Sequence, residues 1–199
     1  MNPVAATPIR RHAFAPRTVL FLAALLATVM LGRAAQSASG EQPALEQRVK
    51  AAFLYKFAGF VEWPKEPAVK PDDPFTFTVM DEEPLAQALE EVVAGRKVEG
   101  RNIQVRRIKA GDAPGNTQVL FIGRGRASQL GQAIAETKPR PMLIVTDAAG
   151  AITQGSIINF ALLDGKVRFE VSLDAAEKRG LKLSSRLLAV AQQVHGGTP

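Results

Sequence analysis

The stretch IINFALLDGKVRFEVSLDAAEKRGLKLSSRLLAVA, residues Ile157–Ala191, decides the fold of this chain. Asp164-Gly165 lies between two apolar runs and predicts a tight hairpin turn, because glycine adopts a positive φ without strain. In the first run, residues 157–163, both alternating sets of positions are mostly apolar, which predicts a strand buried on both faces. The return strand alternates, with Phe169 on a dry face and Arg168 and Glu170 on a polar face. We therefore expect a C-terminal antiparallel hairpin.

Two short helices are predicted after the hairpin. Asp174 is the expected cap of the first, which ends at Gly180, and Ser184 or Ser185 is the expected cap of the second. The apolar stripe of the second helix is expected to consist of Leu187, Leu188, Ala191 and Val194.

Strands and helices alternate through the preceding part of the chain. The alternation is typical of an α/β fold with a largely parallel sheet flanked by helices, here closed by the C-terminal antiparallel hairpin. We expect one domain over residues 44–195. The apolar patterns predict helices over residues 44–61, 84–94 and 127–137, and strands over residues 75–80, 103–108, 118–122 and 142–146.

Residues 1–39 have the features of a secretory signal peptide. Three arginines precede a thirteen-residue, largely apolar run from Val19 to Leu31, and small residues follow it. A transmembrane helix needs about 20 residues, so this run is too short to span a bilayer. The interpretation is a leader cleaved between residues 36 and 41 and a periplasmic protein. A twin-arginine signal and an uncleaved anchor are the alternatives.

The positive charge of the chain comes largely from this leader. The whole chain carries 25 basic and 19 acidic residues, a net charge of +6. Four arginines and no acidic residue lie before residue 40, which leaves 21 basic and 19 acidic residues, or +2, in the rest. The charge therefore gives no reason to expect a nucleic-acid partner.

Side chains for acid–base or nucleophilic catalysis are scarce. The chain has no cysteine, and its two histidines are His12, in the leader, and His195, near the C-terminus. A catalytic triad, a histidine-based metal site and a thiol nucleophile are therefore not expected. We predict a protein that is not an enzyme, with no catalytic residue, no metal and no cofactor.

Three strand ends resemble ligand-binding motifs in part. Gly123-Arg124-Gly125 begins like a dinucleotide fingerprint, but Ser128 stands where its third glycine would be. Asp81 and Asp147 each follow a strand, where open α/β sheets place their ligands. We interpret the glycine segment as a turn with solvated arginines, and both aspartates as helix caps or turn formers.

Two sets of residues are candidates for binding. Tyr55 and Trp63 lie in an aromatic-rich segment that is predicted to be helical, and both are expected to face outward, where such rings favour protein contacts. The alternative is that they pack on the sheet. A site for an anionic ligand or an acidic partner is predicted from Arg168, Glu170, Lys182 and Arg186. The alternative for the first two is a surface ion pair.

Four segments in one colinear order resemble the YfiR family, also called YfiR/HmsC-like periplasmic proteins. The resemblance as a whole covers roughly residues 48 to 192. The segments are KAAFLYKFAGFVEWP from Lys50, GRNIQVRR from Gly100, VLFIGR from Val119 and INFALLDGKVRFEVSLDAAEKRGLKLSSRLL from Ile158.

The resemblance implies a function in membrane signalling. It implies a small exported protein that binds the periplasmic part of an inner-membrane diguanylate cyclase and holds it inactive, which lowers cyclic di-GMP signalling and biofilm formation. It also implies self-association, so we expect a homodimer. The alternative is a periplasmic protein that binds a small anionic or aromatic metabolite for a membrane sensor or transporter.

Overall fold

The computed structural model describes residues 42–64, 72–137 and 140–197. None of the helices in these three ranges combines the length and the apolar character that a membrane span requires. The predicted signal peptide lies outside the described residues. Helix α1 covers residues 42–60, and it is followed by α2 (Glu83–Val93), α3 (Leu130–Ala135), α4 (Leu173–Glu177) and α5 (Ser185–Ala189).

The described residues form ten strands. They are β1 (Val61–Glu62), β2 (Phe75–Met80), β3 (Lys97–Val98), β4 (Arg101–Ile108), β5 (Val119–Ile122), β6 (Leu143–Thr146), β7 (Ile158–Leu163), β8 (Lys166–Ser172), β9 (Lys182–Leu183) and β10 (Gln193–His195). Eight of them make the main sheet, in the order β10-β8-β7-β6-β5-β2-β4-β3, and β1 pairs with β9 separately.

Most neighbouring strands of the main sheet are parallel. Strands β4, β2, β5, β6 and β7 run in one direction, whereas β7–β8 and β3–β4 are antiparallel pairs. Asp164 and Gly165 have φ angles of +50° and +70° in the hairpin turn, which is the conformation that the tightest hairpin turns need. The predicted α/β fold, with its largely parallel sheet, flanking helices and C-terminal hairpin, is confirmed.

Helix α1 packs on the hairpin through four phenylalanine rings. Phe53 and Phe57, one helical turn apart, contact Phe160 of β7 and Phe169 of β8, with ring centroids between 4.9 and 6.1 Å apart. Rings in such tilted and stacked arrangements attract one another beyond the effect of their burial. We call these four residues the aromatic cluster, and it joins two segments that are more than a hundred residues apart in the sequence.

Helix α3 covers the middle of the opposite face of the sheet. Leu130 and Ile134 of α3 belong to a second apolar core, which also contains Leu120, Ile122 and Ile144. The helix predicted over residues 127–137 is shorter than expected, because a 3₁₀ turn over Arg124–Gln129 precedes α3. Beside the hairpin this face is open, since Arg168 is exposed and Glu170 is half-buried.

The C-terminal segment differs from the prediction in two details. Ser172, not Asp174, caps α4, because its hydroxyl accepts a backbone N–H of the first turn at 3.2 Å. Ser184 caps α5, which is one of the two predicted alternatives. The last helix ends at Ala189, and Val194 lies in the edge strand β10, 40% exposed, instead of on a helical stripe.

Strand β7 extends beyond its neighbour β6. Strand β6 ends at Thr146, which is in register with Asn159 of β7. In the described part of the chain, β7 beyond Asn159 pairs with β8 alone, and Leu162 and Leu163 are 54% and 44% exposed. The prediction of a strand buried on both faces is therefore wrong for this end. We call residues 160–167 the overhang.

Candidate functional site

The carboxyl ends of the parallel strands carry charged side chains that pair with one another. Asp81 follows β2, Arg124 and Arg126 follow β5, and Asp147 follows β6. Arg126 Nε donates to Asp81 at 2.9 Å, and Arg124 Nε donates to Asp147 at 2.9 Å. The arginines are therefore ion-paired and not simply solvated, and Asp81 does not cap the helix that follows it, whereas its φ of +54° agrees with the predicted alternative of a turn former. This edge is where open α/β sheets bind ligands.

Helix α1 completes the pairing into a closed ring of four charges. Lys50 Nζ lies 2.7 Å from Asp147 Oδ2 and 2.6 Å from Glu46 Oε1. Arg124 contacts the same two oxygens, Asp147 Oδ2 at 2.9 Å and Glu46 Oε1 at 2.5 Å. We call these four residues the charged ring. Because each cation contacts both carboxylates, the ring fastens the N-terminal half of α1 to the ends of β5 and β6.

Burial distinguishes the charged ring from a surface ion pair. The side chains of Lys50 and Asp147 are each 3% exposed, whereas Arg124 is 55% exposed. Burial opposes the charge of Glu46, but its bonds to Lys50 and Arg124 outweigh burial and lower its pKa. Burial likewise opposes the charge of Arg124, and the carboxylates of Asp147 and Glu46 outweigh it and raise its pKa. Glu46 and Arg124 therefore stay ionised through the neutral range.

Glu82 lies beside the charged ring, and its surroundings disfavour the ionised form of its carboxyl group. Burial, followed by repulsion from Asp147, raises the pKa of Glu82. Its carboxylate accepts a hydrogen bond from Gln47 Nε2 at 3.2 Å. A Cβ at Gly123 would lie 2.9 Å from Glu82 Oε2, so a larger residue there would displace the end of the Glu82 side chain. Two buried acceptors, Gln47 Oε1 and Asp147 Oδ1, have no hydrogen-bond partner in the described part of the chain.

A cavity of about 300 Å³ lies against the charged ring. Besides the four ring residues, it is lined by residues 148–150 of the loop after β6 and by side chains of β7 and β8. The strand residues that line it are Asn159, Phe160, Ala161, Leu162, Val167 and Glu170. The cavity therefore occupies the place where β6 has ended and the overhang continues.

A chain of hydrogen-bonded side chains crosses four neighbouring strands beside the cavity. Thr146 Oγ1 donates to Asn159 Oδ1 at 2.8 Å, and Asn159 Nδ2 donates to Glu170 Oε1 at 2.9 Å. His195 Nε2 lies 2.8 Å from the other oxygen of Glu170. Since each member has a partner, the chain holds the Glu170 carboxylate in one orientation at the cavity.

The structure places one of the four predicted ligand residues at this cavity. Glu170 lines it, and its partners are Asn159 and His195, not Arg168. Arg168, Lys182 and Arg186 are exposed, and within the described ranges none of them forms an ion pair. No hydrogen bond or ion pair joins these three cations to Glu170 in that part of the chain.

Tyr55 and Trp63, the predicted partner-binding residues, lie at the C-terminal half of α1 and just after it. Both are half-buried, and both pack against the apolar core. Trp63 donates its indole N–H to the Ala58 carbonyl at 3.0 Å, and its ring meets Phe75 edge-on at 5.3 Å. The guanidinium of Arg96 lies 5.1 Å from the Tyr55 ring. Both rings are therefore packed against the core, as the alternative expected, and each keeps part of its surface exposed.

Sequence reasoning missed the contribution of α1 to the site. The apolar spacing over residues 44–61 predicts a buried stripe that begins with Leu45 and Val49 and continues through Phe53, Phe57 and Phe60. Leu45 is instead 61% exposed, and the buried side chain in these turns is Lys50. Glu46 and Lys50 precede Phe53 and Phe57 at steps of four, three and four residues, so they occupy the same face of the helix. This spacing could have assigned Glu46 and Lys50 to the face of the helix that contacts the sheet. It was overlooked because charged side chains are normally expected in solvent.

Within the described ranges, no group of three histidine, aspartate or glutamate side chains is arranged to hold a metal ion.

Comparison with known proteins identifies the family. No match was found among the curated proteins. A family model described as YfiR/HmsC-like matches residues 47–192. Proteins of this family are periplasmic, they regulate diguanylate cyclase signalling, and they are not catalytic. Since the match spans most of the chain, from α1 to the end of the C-terminal helices, this protein belongs to the YfiR/HmsC-like family.

Proposed function

We propose that this protein binds the periplasmic domain of an inner-membrane diguanylate cyclase and represses it, so that its presence lowers cyclic di-GMP and biofilm formation. The observation that carries the proposal is the family match over residues 47–192, because this family regulates cyclase signalling from the periplasm. A periplasmic protein has no access to nucleotides in the cytoplasm. Its effect on cyclic di-GMP must therefore pass through a membrane protein.

The side chains of the site support binding over catalysis. A general base needs a carboxylate or imidazole that is free to take a proton from a substrate. The carboxylates of the charged ring are held by Lys50 and Arg124, and His195 is held against Glu170. These groups are thus used in holding the fold together.

Tyr55 and Trp63 are the proposed contacts with the cyclase. Trp63 is fixed by its hydrogen bond to Ala58 and by its contact with Phe75, so little side-chain entropy would be lost on binding. Half-buried aromatic rings that are held in this way are frequent anchors of protein interfaces. A surface that includes both rings would place the partner against the C-terminal half of α1.

The test is deletion of the gene and complementation in the native organism, with cyclic di-GMP as the measurement. We expect the deletion to raise cyclic di-GMP, and we expect this rise to require a membrane cyclase. Trp63→Ala should fail to complement at normal protein abundance. Phe60→Ala is the matched control, since Phe60 is also half-buried against the core and is not a proposed contact. Unchanged cyclic di-GMP in the deletion strain would refute the proposed function, whereas complementation by Trp63→Ala would refute only this contact.

The form of the exported protein is part of the proposal. We infer that a signal peptide over residues 1–39 is removed and that the mature chain forms a homodimer. Intact mass of the protein from a periplasmic extract measures the first, and light scattering of the same sample measures the second. Retention of residues 19–31 in a membrane fraction, or a monomer at every concentration, would refute the corresponding inference.

A further inference from the structure

We propose that the cavity beside the charged ring binds a small organic ammonium compound, that is, a primary amine with an apolar body. Nothing in the family match assigns a ligand to this cavity. The binding itself is independent of the function proposed above. Its role as a signal that alters cyclase repression rests on that function.

The location of the cavity favours a ligand. It lies at the carboxyl end of β6, the edge at which open α/β sheets bind small molecules. Past Asn159, the β7 edge that faces β6 has no strand partner among the described residues, so backbone polar groups border the cavity. Its volume of about 300 Å³ is at the lower end of the range for ligand pockets, which indicates a small ligand.

The polar groups of the cavity call for a hydrogen-bond donor. Asp147 has one oxygen bonded to both ring cations, while its other oxygen, Oδ1, is buried without a partner in the described part of the chain. A buried acceptor without a donor is costly, and a carboxylate can only accept. Glu170 presents a second carboxylate to the same cavity. An ammonium group supplies three donors and a positive charge, which suit a cavity bordered by these two carboxylates.

The charge balance of the lining disfavours an anion. Three carboxylates line the cavity, from Glu46, Asp147 and Glu170, against two cations, Lys50 and Arg124. Both cations are already engaged by the ring carboxylates. An anionic ligand would have to displace those contacts and approach the carboxylates, which repel it. His195 bonds to Glu170 and is not part of the lining.

The remaining side chains of the lining suit an apolar body. Phe160, Leu162 and Val167 line the cavity, and Leu162 is 54% exposed although it is a large apolar residue. A hydrocarbon chain or ring placed against Leu162 would remove that surface from water. The combination of donor head and apolar body therefore defines the proposed class of ligand.

The position of the ligand suggests how it would act on the partner. The charged ring fastens α1 to the sheet, and the same helix carries Tyr55 further along. A ligand that contacts Asp147 interacts with α1 through Lys50 and Glu46. It can shift the balance between repressing and free forms only by binding one of them more tightly.

The experiment uses the exported protein, purified from the periplasm, and isothermal titration calorimetry with three probes of matched shape. Phenethylamine carries the ammonium group, 2-phenylethanol is its neutral counterpart, and 3-phenylpropionate is an anion. We expect saturable binding of the amine, at least about tenfold tighter than the alcohol, since a charged hydrogen bond contributes about 1.5–3 kcal/mol and 1.4 kcal/mol is tenfold. The anion should show no binding.

Adjacent leucines of the overhang provide the matched variants. Leu162→Gln should weaken amine binding several-fold, because Leu162 lines the cavity, whereas Leu163→Gln should leave it unchanged, because Leu163 is exposed and does not line it. Asp147→Asn should weaken the amine and leave the alcohol unaffected, provided that its thermal melt shows a folded protein. Equal affinity for amine and alcohol would show that the ammonium group is not recognised, and equal effects of the two leucine variants would place the binding outside this cavity. Either result would overturn the proposal. Neither result depends on the cyclic di-GMP measurement, so the two proposals fail separately.

Discussion

The two halves of helix α1 are held on the sheet by opposite kinds of contact. Its C-terminal half inserts Phe53 and Phe57 into the aromatic cluster, which is largely shielded from water. Its N-terminal half presents Glu46 and Lys50, on the same face of the helix, to the ends of the parallel strands. The aromatic cluster holds through dispersion and removal of apolar surface from water, whereas the charged ring holds through directed contacts between ions.

The two regions differ in how well they tolerate the rearrangement or loss of a side chain. Apolar contacts are non-directional, so a rearranged ring still contributes. A buried ion pair offsets its desolvation only while every partner is present, and removing one partner leaves an uncompensated charge. The charged ring is therefore weak evidence for stability and good evidence for a specified position of α1. Three measurements would break or sharpen this comparison.

The largest effect is expected from a charge placed in the aromatic cluster. Phe169 is 2% exposed between Phe53 and Phe57. Phe169→Asp should lower the free energy of unfolding by at least about 4 kcal/mol, since it buries an unpaired carboxylate and removes a ring that packs against two others. Arg168→Ala, on the exposed side of the same strand, is the control and should change it by less than about 0.5 kcal/mol. Similar urea midpoints for both variants would mean that the faces of β8 are reversed.

A smaller effect is expected from removing one member of the charged ring. Lys50→Met should lower the free energy of unfolding by about 3 kcal/mol, because Asp147 stays buried with one cation fewer. Adding Asp147→Leu to this variant should restore much of the loss, since two apolar side chains would then replace two charges. Arg107→Met is the surface control, because Arg107 pairs with exposed Glu90 and Glu83, and its effect should be the smallest of these variants.

A double variant no more stable than Lys50→Met alone would contradict that account. It would mean that the ring acts through its shape and not through the balance of its charges. Chemical denaturation of the wild type, the two single variants and the double variant under one set of conditions supplies this double-mutant cycle.

The smallest effect is expected at Glu82 and depends on pH. Its pKa is raised in the folded protein, so its ionised form lowers the free energy of unfolding above that pKa. Below its ordinary value of 4.5, both states hold the proton and the cost disappears. Glu82→Gln should therefore stabilise the protein at pH 7 and have no effect near pH 3. An equal gain in the free energy of unfolding at both pH values would mean that the stabilisation comes from hydrogen bonds of the new amide and not from the lost charge.

The sequence by itself determined the alternation of elements, the hairpin and the aromatic face of α1. Each of these follows from interactions between residues close in sequence. Asp164-Gly165 can adopt the positive φ angles of a tight hairpin turn, and the apolar periodicity indicates the buried faces. The strand over residues 75–80 was predicted with the limits that the structure shows. The family resemblance, carried by the same segments, is confirmed by the match over residues 47–192.

Only the tertiary structure decided the charged ring and the cavity. Lys50 and Asp147 are 97 residues apart, and a lysine in a helix is expected in solvent unless its partner is known. Leu45 was expected to be buried in its place, because apolar periodicity carries no information on where the sheet below a helix ends. The sheet ends beneath the first turns of α1, and there the strand ends present charges. The same face of the helix is therefore aromatic where it lies over the core and charged where it lies over the edge of the sheet.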